Sequence, residues 1–263
     1  MEKRNMLLTL DIGNTNIKAA LFNGAEMVHY WRLSTQRTYT SDEMGVIITN
    51  LFAHENIDIR AVKGIMMSSV VPTVNFTVEH MCRDYFGMDP IVVAPGIKTG
   101  IDIKYENPRE LGSDRICNAV AAYHLYGGPC VFIDFGTATT LGALDKNGAF
   151  LGGCICPGIK LTSAALVSGT AKLPHFELTM PEKVIGKTTV ANLQSGLIYG
   201  HVGQIDYLVN KMREEMNAPD AAVVATGGMA RLIAAKSSVI EHIDGLLTLK
   251  GLRLIYEKNA QTR

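Results

Sequence analysis

The 263-residue sequence has no excess of charge of either sign, because 25 lysines and arginines are balanced by 25 aspartates and glutamates. Proteins that bind nucleic acid neutralise phosphates with a clear basic excess, so the balance argues against a nucleic-acid partner. Long apolar runs are also missing, and none approaches the roughly 18 residues of a membrane-spanning helix. The first apolar run is interrupted by Asp11, too early for a secretory signal. We therefore expect a cytoplasmic protein that binds neither nucleic acid nor membranes.

Cysteine and recognisable metal-binding patterns are equally sparse. Five cysteines, an odd number spread over a long chain, do not make a disulfide framework. Cys154 and Cys156 form a C-x-C pair that can ligate a metal, but no second ligand pair lies nearby, so buried thiols are the better interpretation. None of the seven histidines belongs to an HExxH motif. We therefore expect no structural metal site among these residues.

The composition is that of a globular protein, with 47% hydrophobic and 19% charged residues. A single hydrophobic core stops growing at about 250 residues, so a chain of this length favours two domains. Strand-like and helix-like segments alternate along both halves, which predicts an α/β fold with a mixed sheet in each domain. The predicted helices cover residues 41–55, 73–86, 112–126, 188–216 (one or two helices) and 229–235, and the predicted strands cover 62–71, 91–94 and 221–225.

The most informative feature is an internal repeat. Residues Leu7–Gly24 read LLTLDIGNTNIKAALFNG, and residues Cys130–Gly148 read CVFIDFGTATTLGALDKNG. In each copy an apolar run ends in Asp-x-Gly, passes through small hydroxyl or amide residues, and resumes apolar alternation. This pattern predicts two antiparallel strands joined by a tight polar turn. The second copy ends in Asn147-Gly148, the pair that a type I′ hairpin prefers.

The spacing of the two copies bears on domain organisation. One such segment can arise by chance, but two at half-chain spacing indicate two related domains. We place the limits of these domains at residues 1–117 and 118–263.

The first copy has the chemistry of a phosphate-binding turn. Gly13 lets the backbone approach a ligand closely, Asn14 and Thr15 add side-chain donors, and Lys18 brings a positive charge. Asp11 ends a strand and is placed to hold Mg²⁺ directly or through water, because Mg²⁺ keeps several waters and takes few carboxylates. An ordinary hairpin with a polar tip is the alternative for this segment alone. The candidate nucleotide-binding residues are Asp11, Ile12, Gly13, Asn14, Thr15, Asn16, Ile17 and Lys18.

Two further turns extend this pattern. The second copy, from Asp134 to Thr140, is rich in hydroxyl groups and has no lysine, and Asp134 can either bind a second cation or orient the loop. Two such turns facing each other across a cleft would bind a phosphate chain from both sides. Thr226-Gly227-Gly228 follows a buried strand and opens a helix, which suits an adenosine or ribose, although a plain strand-to-helix turn has the same pattern. Ligands of α/β folds bind at the carboxyl ends of strands, where all three turns are predicted.

DIGNTNIK, DFGTATT and TGG, in this order, resemble the phosphate-1, phosphate-2 and adenosine elements of the acetate and sugar kinase/Hsp70/actin superfamily. More narrowly, DIGNTNIK, the segment Tyr105–Pro108 followed by Leu111–Arg115, and DFGTATT resemble type III pantothenate kinase. The resemblance implies two duplicated ribonuclease-H-like domains, the actin-like ATPase fold, with mixed sheets flanked by helices and ATP in the cleft between the domains. Ser113 stands where this family commonly has alanine, a small residue in place of another.

The resemblance also implies an activity and its residues. The family transfers the γ-phosphoryl group of ATP to the primary hydroxyl of pantothenate, giving 4′-phosphopantothenate in the first step of coenzyme A biosynthesis. Asp114 matches the proton acceptor, Thr137 an ATP contact, and Asp134 the position that holds K⁺ or NH₄⁺. The family further implies Mg²⁺ with ATP and a homodimer. The positions that match substrate binding are Tyr105, Gly112, Ser113, Asp114, Arg115 and Thr189.

Two alternatives stay open at this point. One is a non-catalytic, nucleotide-binding transcription accessory protein on the same fold, and the other is a kinase for a different small alcohol. The first is disfavoured because a binding module does not need a base such as Asp114 aimed at an acceptor. The identity of the acceptor rests on the resemblance alone.

Overall fold

A computed structural model describes residues 5–260 of the chain. Its backbone contacts divide it into two compact units. Of the described residues, unit 1 takes in 5–100, 107–121 and 248–260, and unit 2 takes in 101–106 and 122–247. Compactness alone does not show where a chain folds independently, so the domain limits 1–117 and 118–263 stay a prediction.

Ten strands form two five-stranded mixed sheets in the described part of the chain. Both copies of the repeat fold as the predicted antiparallel hairpins, β1 with β2 and β6 with β7. The strands are β1 Met6–Ile12, β2 Asn16–Asn23, β3 Glu26–Ser34, β4 Val62–Ser69, β5 Ile91–Val92, β6 Cys130–Phe135, β7 Ala138–Leu144, β8 Phe150–Pro157, β9 Ala222–Gly227 and β10 His242–Ile243.

Seven α-helices accompany the sheets within residues 5–260, and none of them is long and apolar enough to cross a membrane. Every helix predicted from the sequence is present, and the segment at 188–216 forms one helix. Two short 3₁₀ turns lie at Ile59–Ala61 and Pro108–Glu110. The helices are α1 Ser41–His54, α2 Pro72–Phe86, α3 Ser113–Tyr126, α4 Ile159–Ser168, α5 Thr189–Glu215, α6 Ala230–Ala234 and α7 Leu247–Ala260.

The sheet of unit 1 has the strand order β3-β2-β1-β4-β5. The first three strands are antiparallel neighbours, whereas β4 pairs with β1, and β5 with β4, in parallel. One face packs on α1 and α2, because alternate residues of β1 such as Leu8 and Leu10 share a buried cluster with Phe52 and Val78. On the other face Gly64 leaves room for the Tyr256 ring of α7. The sheet is therefore covered on both sides, as the buried pattern of β1 requires.

The sheet of unit 2 repeats this topology. Its order, β8-β7-β6-β9-β10, again joins an antiparallel meander to two parallel strands. Val131, Ile133 and Phe135 of β6 pack in a buried cluster with Ile198 and Val202 of α5. The duplication that the sequence predicts is thus a duplication of strand order and strand direction.

The turn after β7 is not the type I′ turn that Asn147-Gly148 favours. Five residues separate β7 from β8, and only Gly148 of this pair has a positive φ, at 83°. The carboxylate of Asp145 accepts hydrogen bonds from the amides of Asn147 and Ala149, and its carbonyl accepts one from Gly148. This aspartate side chain organises a longer turn, a local competition that the Asn-Gly pair alone does not reveal.

Substitution of Gly251 by alanine tests the close approach of α7 to α3, the helix that carries Asp114. A Cβ at Gly251 would clash with the carbonyl oxygen of Cys117 and lie 2.9 Å from its Cα, and neither backbone can move cheaply. We expect Gly251→Ala to lower the free energy of unfolding by about 2 kcal/mol in urea denaturation. Gly245→Ala, where a Cβ meets nothing within 4 Å, should change it by less than about 0.5 kcal/mol. Equal stabilities of the two variants would contradict the packing described here.

Candidate active site

The turn between β1 and β2 presents an exposed polar tip on a rigid base. The amide of Gly13 donates to the carbonyl of Asn16 at 3.0 Å, which closes the turn. Thr35, just after β3, donates its hydroxyl to the carbonyl of Gly13 at 2.6 Å and its amide to Thr15 at 3.1 Å. Asn14 and Thr15 are exposed at the tip. The sequence did not point to Thr35, which follows the third strand and supports the turn.

Two charged residues lie at the base of the same hairpin. Asp11 and Lys18 are directly opposite in the β1–β2 register, and Lys18 Nζ lies 3.4 Å from Asp11 Oδ2. Asp11 is only 7% exposed, so its charge is poorly solvated and the lysine stabilises it. The structure therefore brings a carboxylate and an ammonium group to the carboxyl end of β1.

The start of α3 is attached to the strand beside Asp11. Ser68 and Ser69 of β4 are the register partners of Asp11 and Ile12. The Ser69 amide donates to Ser113 Oγ and the Ser113 hydroxyl donates to the Ser69 carbonyl, both at 3.1 Å, while Ser68 Oγ lies 2.9 Å from Ser113 Oγ. Ser113 is thus more than a small residue, because its hydroxyl joins the two elements, and an alanine would make none of these bonds.

Asp114 follows this attachment point. Its Oδ1 accepts a hydrogen bond from the Arg115 amide at 2.7 Å, and it lies so close to Gly112 that a Cβ there would be 2.6 Å from it. Burial raises the pKa of Asp114, and the amide and charge of Arg115 and the charge of Lys18 act in the opposite direction. A carboxylate whose ionised form is disfavoured by burial accepts a proton more readily than an exposed one.

The predicted site residues fall into two groups. The structure collects Asp11, Lys18 and Gly112–Arg115 in unit 1, whereas Tyr105, Asp134, Thr137 and Thr189 belong to unit 2. Arg115 is 6% exposed. The ring of Tyr105 stacks on Phe150 with 6.2 Å between the centroids. Thr189 is the first residue of α5, whose preceding residue, Thr188, caps the helix by accepting from the Ala191 amide.

The turn between β6 and β7 resembles the first turn in geometry but has different surroundings. The amide of Gly136 donates to the carbonyl of Ala138 at 3.1 Å, and Thr137 is exposed at the tip. The N-cap of α4, Gly158, packs against this tip so closely that a Cβ would clash with the Thr137 carbonyl and lie 2.7 Å from that of Gly136. A helix N-terminus therefore lies beside the turn, where its free amides favour an anion.

Oxygen atoms gather behind this second turn. Asp134 is the register partner of Thr226 in the neighbouring strand, and a Cβ at Gly227 would lie 2.6 Å from Asp134 Oδ1. Thr226 Oγ1 is buried and has no hydrogen-bond partner among residues 5–260. Oxygen donors of this kind suit a hard cation such as K⁺, so the residues present fit the ion that the resemblance implies. The described chain contains no cluster of three or more His, Cys, Asp or Glu that could hold a metal ion.

A cavity of about 790 Å³ opens in unit 2 beside the Thr226–Gly228 turn. Met229 lines it from the end of that turn, and the side of α4 facing it contributes Ala164 and Val167. Phe176 and Leu178 of the segment before α5 close it on another side. The sequence pointed to the glycine turn but not to α4 or to this segment, because their apolar residues carry no motif.

Several solved structures share the fold of this chain. The chain is similar to a ROK hexokinase from Thermus thermophilus (TM-score 0.52, 12% identity, 98% of this chain and 100% of the other). It is also similar to component A of (R)-2-hydroxyglutaryl-CoA dehydratase from Acidaminococcus fermentans (0.53, 14%, 97% and 99%). A third similar structure is a conserved Campylobacter jejuni protein assigned to the Baf family of transcriptional activators (0.62, 22%, 97% and 99%). These similarities confirm the predicted fold class, the duplicated ribonuclease-H-like architecture of actin-like ATPases.

Within that class the family is shown by the sequence itself. The profile of the type III pantothenate kinase family matches residues 7–211. This match covers well over half of the 263 residues and includes both hairpins, Asp114 and Thr189. The chain belongs to the type III pantothenate kinase family, a family of ATP-dependent kinases.

The raised pKa of Asp114 predicts how its removal affects stability. The folded state favours the protonated carboxyl, so this group stabilises the fold below its unfolded pKa, and the stabilisation is lost as pH rises through the folded pKa. At about pH 7 the partly buried carboxylate is therefore unfavourable in the folded state, and Asp114→Asn should raise the free energy of unfolding. The gain should shrink as the pH falls towards about 3, which urea denaturation at several pH values will measure.

Asp58 provides a control of opposite sign. Its hydrogen bonds with Arg60 lower its pKa, so its carboxylate stabilises the fold above the unfolded pKa. Asp58→Asn should therefore lower the free energy of unfolding at neutral pH. A stability loss at neutral pH for Asp114→Asn as well would contradict the burial described for Asp114.

Proposed function

We propose that the protein transfers the γ-phosphoryl group of ATP to the primary hydroxyl of pantothenate, giving 4′-phosphopantothenate. The observation that carries this proposal is the position of Asp114, a partly buried carboxylate with a raised pKa whose charge interacts with Lys18. Lys18 in turn pairs with Asp11 at the base of the first turn. A proton acceptor within the electrostatic reach of a phosphate-binding cation is what phosphoryl transfer to an alcohol requires.

The proposed reaction gives a separate role to each of three charged residues of unit 1. Asp114 accepts the proton of the acceptor hydroxyl, and the acceptor oxygen forms a bond to the γ-phosphorus. The bond from that phosphorus to the β–γ bridging oxygen breaks, and ADP leaves with the electron pair. Lys18 offsets the negative charge on the phosphate oxygens. Bound Mg²⁺ supplies further charge neutralisation, with Asp11 as the carboxylate that would hold it directly or through water.

The two turns are proposed to bind the phosphates of ATP by different means. The first turn offers the Gly13–Ile17 backbone and the Lys18 ammonium group. The second turn offers the hydroxyl of Thr137 and the amides at the start of α4, which packs against it. Asp134 and Thr226, whose oxygens lie behind the second turn, are the proposed ligands of a K⁺ or NH₄⁺ ion.

The acceptor is proposed to bind through the family positions. Arg115 carries a guanidinium group, which suits the carboxylate of pantothenate because it forms paired, charge-assisted hydrogen bonds. Tyr105, Gly112, Ser113 and Thr189 are the remaining proposed acceptor contacts. A homodimer, which the resemblance implies, belongs to the same proposal, and light scattering of the purified protein tests it. A cytoplasmic location, expected from the sequence, is proposed as well.

The cavity beside the Thr226–Gly228 turn is proposed to receive the adenosine of ATP. Its volume of about 790 Å³ is large enough for a nucleoside, and Met229, Val167 and Phe176 provide apolar surface for a base. It also lies next to α4, whose N-terminus reaches the second phosphate-binding turn. One helix thus borders both the proposed phosphate and the proposed adenosine sites.

A non-catalytic nucleotide-binding protein is the alternative, and a measurement of ATP turnover with different acceptors distinguishes it from a kinase. The Campylobacter jejuni structure supports the shared fold, and at 22% identity it carries no argument about activity. An accessory protein would bind ATP without consuming it in the presence of any acceptor. A kinase for another small alcohol would consume ATP with that alcohol and not with pantothenate.

Replacement of the proposed base should greatly lower the turnover rate and leave nucleotide binding nearly unchanged. We expect Asp114→Asn to lower kcat at least about 100-fold while the Kd for ATP changes by less than about twofold. Coupled measurement of ADP release with pantothenate and a panel of small alcohols, with and without K⁺, gives the rates, and calorimetry gives the Kd.

The exposed Asp84 of α2 provides the matched control for this experiment, since Asp84→Asn makes the same chemical change far from the proposed chemistry. Its kcat should equal that of the wild type. Full activity of Asp114→Asn would exclude Asp114 as the base, and absence of ATP consumption by the wild type with every acceptor would favour the accessory protein.

A bulky residue in the cavity should weaken nucleotide binding. Ala164 faces the cavity, so Ala164→Trp should raise the KM for ATP about tenfold, a change of roughly 1.4 kcal/mol, and leave the KM for pantothenate unchanged. Ala165 is exposed on the same helix outside the cavity lining, and Ala165→Trp should leave both constants unchanged. Equal KM values for ATP in the two variants would place adenosine elsewhere.

A further inference from the structure

A buried histidine bonds to the second phosphate-binding hairpin. His201 lies in α5 and is 7% exposed, and Thr139 lies in β7 and is 1% exposed. Thr139 Oγ1 and His201 Nε2 are 3.0 Å apart. The residues are 62 positions apart in the chain, and neither belongs to the proposed ATP or acceptor contacts.

The surroundings of this pair are apolar. His201 packs against Phe135, with 5.9 Å between the ring centroids, and its helix neighbours Ile198, Val202 and Ile205 are in the hydrophobic cluster of unit 2. Burial lowers the pKa of His201, which favours the neutral ring, and the Nε2 atom of a neutral ring either donates one hydrogen bond to the threonine hydroxyl or accepts one from it. Each partner would otherwise leave a polar atom unsatisfied in the core, which makes the bond costly to break.

Thr139 lies close to the tip of the hairpin, so its hydrogen bond with His201 can hold the tip in place. Side chains alternate along β7, so Thr139 points to the α5 side of the sheet and its neighbours Ala138 and Thr140 to the other. Thr137, at the exposed tip, is two residues away, and Phe135, the register partner of Thr139, contacts the same histidine. Both strands of the hairpin therefore meet His201 immediately before the tip.

We propose that His201 is a positioning residue that holds the Asp134–Thr140 hairpin, through Thr139, in the shape that binds the phosphates of ATP. This inference rests on the proposed function, since it assumes that the tip of the hairpin contacts ATP. A hydrophobic pair at these two positions would fill the core as well but would let the β6–β7 tip shift, because packing contacts have no preferred direction and a hydrogen bond does. His201 acts through Thr139 and does not touch the substrate.

The test compares variants that remove the bond with variants that keep it. Thr139→Val and His201→Leu remove it with little change of volume, whereas Thr139→Ser and His201→Gln retain a hydrogen-bonding group. We expect the first two to raise the KM for ATP about fivefold, while kcat and the KM for pantothenate change by less than about twofold. The second two should recover most of this loss. Because the two residues share one bond, the double variant should be no worse than either single variant.

Thr248→Val is the matched control for a general loss of stability. Thr248 is a buried threonine of unit 1 whose hydroxyl donates to Asn118 at 2.8 Å, so its replacement removes one buried side-chain hydrogen bond in which the hairpin has no part. It should lower the thermal stability to a similar degree as Thr139→Val and leave the KM for ATP unchanged. An equal rise of this KM in Thr248→Val would reduce His201 to a purely structural role and overturn the proposal.

Amide hydrogen exchange separates this inference from the proposed function. In Thr139→Val the amides of residues 136–138 should exchange faster than in the wild type, while those of α5 keep their rates, and this readout needs no turnover. Unchanged exchange at the tip would overturn the proposal even if the enzyme is active. Faster exchange with an unchanged KM for ATP would overturn it as well. A wild type that consumes no ATP would refute the proposed function, and the exchange rates would still decide whether His201 holds the hairpin.

Discussion

The site in unit 1 depends on one constraint, the double pairing of β1. Its antiparallel pairing with β2 places Lys18 opposite Asp11, and its parallel pairing with β4 places Ser68 beside Asp11. Parallel neighbours end at the same edge of a sheet, so a helix whose first residue is hydrogen-bonded to the end of β4 begins next to Asp11. The hydroxyl of Ser113 attaches α3 at that point, and Asp114 is delivered as the next residue. A carboxylate that would be exposed at an unattached helix start is thereby partly buried, which raises its pKa.

Unit 2 uses the same strand order for different chemistry. The turn in unit 1 brings the charges of Asp11 and Lys18, whereas the turn in unit 2 has hydroxyl groups, the N-terminus of α4 and the oxygens of Asp134 and Thr226. A helix N-terminus supplies amides and a partial positive charge without a lysine, so the absence of a second lysine does not weaken the case for an anion there. Duplication preserved the backbone geometry of the hairpins, and the side chains around them diverged.

Sequence patterns predicted the local structure well where the signal was local. Alternating apolar residues interrupted by Asp-x-Gly predicted both hairpins, and five of the seven helices within residues 5–260 were predicted from the sequence, whereas α4 and α7 were not. The Asn147-Gly148 turn shows the limit of such signals, because the side chain of Asp145 competes for the same amides and selects a longer turn. Ser113 shows another limit. By size it is equivalent to alanine, and only its hydrogen bonds to residues of β4 reveal that its hydroxyl matters.

The amino-acid pattern by itself determined the α/β class, the duplication, the two glycine turns and the family, because these follow from short-range periodicity and from motifs of a few residues. The tertiary structure decided which residues meet. Ser68 and Ser113 are 45 positions apart, and Thr139 and His201 are 62 apart. Such pairs form only when a strand or helix distant in the chain packs against the sheet, and the spacing of residues along the sequence does not predict which residues then meet. Burial arises in the same way, which is why the raised pKa of Asp114 belongs to the fold and not to its motif.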